Sequence, residues 1–245
     1  MRLAALLLFF ATVFAISRVD GYIEQDVDCL SWHLAVETNN VRNWKLVPEE
    51  CEQYVGHYML GKQYRKDFKI VANNTIEYAK SLTLVGDGKD IWIFDIDKTT
   101  LSNLPYYARS DAIWLILGHY HTMTQSLTSG LWRELCHQYR GLCVYQTLLP
   151  LGFKIVFLTG TAERFKYIRI FNLKAAGYHT WEKLILKEEA DQGTSALVYK
   201  SKKRTELVDS GCRILGNLGD QWSDILGDNS GNRTFKVPDP MYYIG

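Results

Sequence analysis

Short strand-like runs alternating with helix-like stretches are the pattern that most narrows what this chain can fold into. Ile91–Asp95 (IWIFD) is brief, apolar and followed by polar residues, as a strand buried on both faces should be. Lys154–Leu158 (KIVFL) opens after Gly152 and closes at Thr159-Gly160. Lys183–Lys187 (KLILK) is a third such run, and Arg213–Asp220 (RILGNLGD) a fourth. Between them, residues 162–177 read as a helix with Gly177 as C-cap, and residues 201–211 as a helix with Ser201 as N-cap and Gly211 at its end. Strands alternating with helices predict an open, mainly parallel α/β sheet of Rossmann-like type. Ahead of it, residues 49–81 read as helices with aromatic residues on one face.

In such sheets, ligands bind past the carboxyl ends of the strands. Asp95 and Asp97 follow the first run, Thr159 the second and Asp220 the fourth, while Lys200 lies at a helix start. Asp after a strand is ordinarily a turn residue, and Lys in a first helical turn is ordinarily solvated. Four segments delivering acids, a hydroxyl and an amine to one edge in this order argue for a site. Two aspartates one residue apart repel and are costly to desolvate. A hard cation removes that repulsion, and Mg2+ favours such oxygen ligands while keeping substrate phosphate among them. An aspartate can attack phosphorus, and a second carboxylate two residues on can protonate the leaving oxygen.

Asp95-Ile96-Asp97-Lys98-Thr99 matches the DxDxT signature of the haloacid dehalogenase-like phosphatases, and "FLTG" (157–160), "YKSKKR" (199–204) and "GDQWSD" (219–224) resemble their later motifs. "LSNLPYY" (101–107), "GYHTWEKLIL" (177–186), "GNLGDQWSDILG" (216–227) and "RTFKVPDPMYYI" (233–244) resemble the plant acid phosphatases and vegetative storage proteins. So does the pattern of Cys29, Trp32, Trp44, Pro48, Cys51 and Tyr54. The resemblance implies that Asp95 is a nucleophile, Asp97 a general acid/base, and Thr159 and Lys200 phosphate-binding groups. It implies a Mg2+ site at Asp95, the Asp97 carbonyl and Asp220, with Asp224 in support. The implied activity is an acid phosphatase acting on small phosphate monoesters. A storage protein of the same fold with little or no turnover is the alternative, and the intact Asp95 favours the enzyme.

Three departures stand out. Lys98 takes a place where relatives commonly carry an acid, and its side chain is expected to point away from the pocket. Thr161 stands where the second motif usually has arginine. From about 109 to 148 the resemblance stops, although relatives there carry a segment that caps the site. His119 and His121 in that stretch lack a partner at metal-ligand spacing and are read as ordinary loop or strand residues. Lys203 is the second candidate for the site amine but, one helical turn on, is expected to be solvated.

Residues 1–15 read as a signal peptide, with the apolar run Leu3–Ile16 and Val13-Phe14-Ala15 as cleavage site; a retained anchor is the alternative. Residues 16–88 are expected to pack as a helical segment on a core at 89–245 that carries the insertion at about 109–148. A secretory route, extracellular or vacuolar, permits disulfides. Five cysteines leave at least one unpaired, and Cys29 and Cys51, sharing a segment with little core of its own, are expected to pair. Asn73 and Asn232 open glycosylation sequons. The net charge of +1 points to no nucleic-acid partner, and no second long apolar run predicts membrane attachment after signal cleavage. A homodimer is compatible with the sequence. Loss and resumption of resemblance at little changed chain length is what two compensating frame changes in the coding sequence would produce. Resequencing the transcript is expected to show a shifted frame within 109–148, and an unchanged frame rejects that origin.

Overall fold

The computed structural model describes residues 27–101 and 141–245. Five parallel strands form one sheet: β1 (Asp90–Phe94), β2 (Lys154–Ala162), β3 (Lys183–Lys187), β4 (Arg213–Gly219) and β5 (Arg233–Lys236), in the order β3-β2-β1-β4-β5. Every residue of β1 is buried, because the strand is central and both of its faces are covered. Alternate side chains go to opposite layers. Trp92 and Phe94 join one apolar cluster, while Ile91 and Ile93 join another with Val156, Leu158 and Tyr199.

Among the described residues, three α-helices precede the sheet: α1 (Cys29–Glu37), α2 (Glu52–Leu60) and α3 (Lys62–Ser81). The last buries Tyr64, Phe68, Ala72, Thr75 and Ala79 at helical spacing. Tyr64, Phe68, Ala72 and Ala79 enter the same cluster as Trp92, so the N-terminal helices share the core of the sheet. Trp92 stacks on Phe235 of β5 at a centroid distance of 5.8 Å and meets Phe153 edge-on at 5.4 Å. Gly216 in the neighbouring strand is required by that indole, since a Cβ there would lie 2.3 Å from its ring atoms.

Helix α4 (Gly141–Leu151) leads into β2 and buries Val144, Tyr145 and Leu148. Residues 141–148 therefore belong to the core layer, while the rest of the segment of altered sequence, with His119 and His121, lies outside the described residues. The signal peptide expected at 1–15 also lies outside them. No helix among the described residues is long and apolar enough to cross a membrane.

Further helices are α5 (Lys166–Ala175), α6 (Ala196–Asp209) and the short α7 (Trp222–Ile225). α5 starts later than the sequence pattern predicts, because β2 runs on to Ala162 and a 3-10 turn occupies Glu163–Phe165. α6 starts earlier than predicted. Its N-cap is Ser195, whose hydroxyl accepts from the Val198 amide at 3.3 Å, and not Ser201. The Ser201 hydroxyl instead accepts from Arg204 at 3.1 Å and from the Asp228 amide at 3.2 Å. β5 is a strand that the sequence pattern did not reveal.

Cys29 and Cys51 are joined by a disulfide with Cα atoms 5.3 Å apart, tying α1 to the entry of α2. Cys143 and Cys212 are free thiols. Non-reducing peptide maps should show Cys29 linked to Cys51, and Cys51→Ser should cost about 3 kcal/mol in denaturant unfolding. Two free thiols at these positions would contradict the linkage.

Candidate active site

The sheet order makes the chain leave β1 for β2 and return across it to β4, so the carboxyl ends of β1 and β4 border the reversal point. Asp95 follows β1, and its amide donates to the Leu218 carbonyl at 2.9 Å, extending the ladder by one residue. The chain then turns back on itself. The amides of Thr100 and Leu101 donate to the Ile96 carbonyl at 3.0 and 2.8 Å, and Lys98 sits at φ +66° in the left-handed region. Its side chain is fully buried, with the ammonium at Met241 Sδ and over the Tyr242 ring.

Two groups of side chains meet at this loop. In the first, the Lys200 ammonium donates to Asp95 Oδ1 at 2.6 Å and to Asp224 Oδ1. Asp220, at the end of β4, accepts from the Thr99 hydroxyl at 2.9 Å and from Gln221 Nε2 at 2.8 Å. Carboxylate oxygens of Asp95, Asp220 and Asp224 all lie within 4.8 Å of one another. Asp224 is held from several sides. Its Oδ2 accepts from the Gln221 amide at 2.9 Å, and its carbonyl accepts from Asn217 Nδ2 and Arg204 Nη1, each at 2.7 Å. Gly219 leaves room for it, since a Cβ there would fall 2.3 Å from that of Asp224.

In the second group, Asp97 accepts from the hydroxyls of Thr159 at 3.4 Å and Thr161 at 3.2 Å, both at the end of β2. Arg169 of α5 spans its carboxylate, with Nη2 at 2.8 Å from Oδ1 and 3.0 Å from Oδ2. The same nitrogen donates to Thr161 Oγ1 at 2.8 Å.

Burial pushes the Asp95 carboxyl up to about 7; the negative Asp224 adds to this and Lys200 opposes it. Burial also raises Asp220 well above the usual carboxylate range, with Asp95 and Asp239 adding their repulsion. Burial lowers the Lys200 ammonium, yet Asp224 and Asp95 overcome that and hold it above its ordinary value. Three carboxylates facing one ammonium in a buried space are short of positive charge, and an all-oxygen donor set of this kind fits a hard divalent cation.

The six predicted residues Asp95, Asp97, Thr159, Lys200, Asp220 and Asp224 thus lie at one edge of the sheet, in two adjoining clusters. Lys203 departs from expectation: it is buried and paired with Asp191 and Glu206, each at 3.4 Å, because helix phase puts it on the buried stripe of α6 with Tyr199, Lys200 and Leu207. Arg169 was missed. The available signal was its place with Asn172 and Leu173 on the buried stripe of α5, where an arginine needs a partner. Both sequon asparagines, Asn73 and Asn232, are exposed.

The chain belongs to the HAD superfamily, subfamily IIIB acid phosphatases, whose family model matches residues 17–245. It is 44% identical over 222 residues to Acid phosphatase 1 of Solanum lycopersicum, covering 91% of this chain and 86% of that one. It is 38% identical to the Stem 28 kDa glycoprotein of Glycine max over the full length of both. Vegetative storage protein 2 of Arabidopsis thaliana is 40% identical, covering 89% of this chain and 80% of its own. The class C acid phosphatase structure from Bacillus anthracis shares the fold at 19% identity and a TM-score of 0.58, covering 78% of this chain and 84% of that one.

Proposed function

We propose that the protein is a secretory-route acid phosphatase that hydrolyses small phosphate monoesters through an aspartyl-phosphate on Asp95, with Mg2+ as cofactor. The observation that carries this reading is the Asp95–Lys200–Asp224 network beside Asp220 at the reversal point of the sheet. Asp95, the Asp97 carbonyl and Asp220 would hold the cation, with Asp224 in support. When bound, Mg2+ supplies the charge that lets a carboxylate meet a phosphate dianion.

An Asp95 carboxylate oxygen attacks phosphorus while the bond to the leaving oxygen breaks. Lys200, already at hydrogen-bond distance from Asp95, holds non-bridging oxygens together with the Thr159 hydroxyl as charge builds on them. Asp97 gives its proton to the leaving oxygen, then takes one from the water that cleaves the aspartyl-phosphate. That proton must be on Asp97 for the first half, which fits an acidic optimum. Secretion to the vacuole or cell exterior and glycans at Asn73 and Asn232 belong to the same proposal. Relatives named as stem glycoproteins support that route.

Hydrolysis of p-nitrophenyl phosphate should require Mg2+ and vanish with excess chelator. Asp95→Asn should lower kcat at least about 1000-fold while thermal unfolding shows an intact fold. Equal activity in the two proteins, or full activity in chelator, contradicts the mechanism. A folded wild type with no turnover supports the storage reading instead.

A further inference from the structure

Arg169 is buried, at 3% exposed, although it lies on a helix beside a partly exposed carboxylate. Its guanidinium is committed to the site: Nη2 contacts both oxygens of Asp97 and the Thr161 hydroxyl. Nη1 is also buried and has no hydrogen-bond partner among the described residues. Burying a cation with one donor unspent is costly, so a packing role alone is a poor account of an arginine here. The second observation comes from the strand end. Position 161 there holds threonine, whose hydroxyl lies within hydrogen-bond distance of both groups. The Thr161 hydroxyl is an acceptor for the Arg169 guanidinium and a donor to Asp97.

We propose that Arg169 is the positioning residue for Asp97, reaching it from α5 across the end of β2 beside Thr161. This rests on the acid/base role given to Asp97 above. The single nitrogen Nη2 reaches both carboxylate oxygens, and Thr161 completes the seat by bonding both partners. Arg169 does not itself take part in the chemistry. It sets where Asp97 stands relative to the leaving oxygen, so its loss acts on kcat more than on KM.

The test exchanges the two residues. Arg169→Thr should lower kcat on p-nitrophenyl phosphate about 100-fold with KM within about threefold. The double variant Arg169→Thr/Thr161→Arg should recover kcat to within about tenfold of wild type. Crystal structures should show the Asp97 carboxylate displaced in the single variant and returned in the double, with the new guanidinium upon it. If the single variant does not fold, Arg169→Met, which fills the buried space and offers no donor, should show the same displacement. Wild-type kcat in a folded Arg169→Thr, an unmoved Asp97, or a double variant no better than the single overturns the proposal. A wild type without turnover would count against the phosphatase reading alone, and the position of Asp97 in the variants still decides the role of Arg169.

Discussion

Lys200 carries one ammonium into a buried space that also holds Asp95, Asp220 and Asp224. Its bonds to Asp95 and Asp224 connect the end of β1 to the start of α7 through α6. Removing one partner from a buried charge pair costs about 3–5 kcal/mol, because the other charge is left without compensation. The sheet edge can therefore hold its acids only while α6 delivers this lysine at the right height. That height is set by the Ser195 cap and by the buried Tyr199, Arg204 and Leu207 of the same helix.

Much of the surrounding polar structure keeps that arrangement fixed. Arg204 is wholly buried and donates to the carbonyls of Asp224, Leu226 and Asp228, so the chain after β4 is clamped onto α6. Asn217 closes the same loop by bonding the carbonyls of Asp224 and Ser230. The C-terminal segment contributes too: the Ile244 amide donates to Gln221 Oε1 at 2.8 Å, and Gln221 turns its amide nitrogen toward Asp220 and Asp239. These groups hold the carboxylates in place before any substrate arrives, which is the form of preorganisation that electrostatic catalysis needs.

The sheet was legible where burial was one-sided in its demands. IWIF announces a central strand because every position must be apolar, and acids just past a strand end announce an edge with chemistry. β5 was not legible: RTFK buries only Phe235 fully and alternates polar residues around it, as an edge strand does. The start of α6 was misjudged because the serine nearest the basic run has the look of a cap, while the true cap, Ser195, stands before ALVY. Lys203, one helical turn beyond Lys200, reads as solvated, whereas helix phase places it on the same inward side as Tyr199 and Lys200. Arg169 escaped for a related reason. Sequence motifs give a side chain's address along the chain, whereas a guanidinium eight residues on can reach the same carboxylate through space.

As the proposed nucleophile, Asp95, placed by the β1–β4 ladder and held by Lys200, should become covalently phosphorylated during turnover. Rapid acid quenching of enzyme with a phosphate monoester and Mg2+, followed by borohydride reduction and peptide mass spectrometry, reads this directly. Reduction of an acyl-phosphate converts its aspartate to homoserine. Homoserine is expected at position 95 alone, in an amount that depends on substrate. Homoserine at position 97, or turnover with unmodified Asp95 at every quench time, would contradict it.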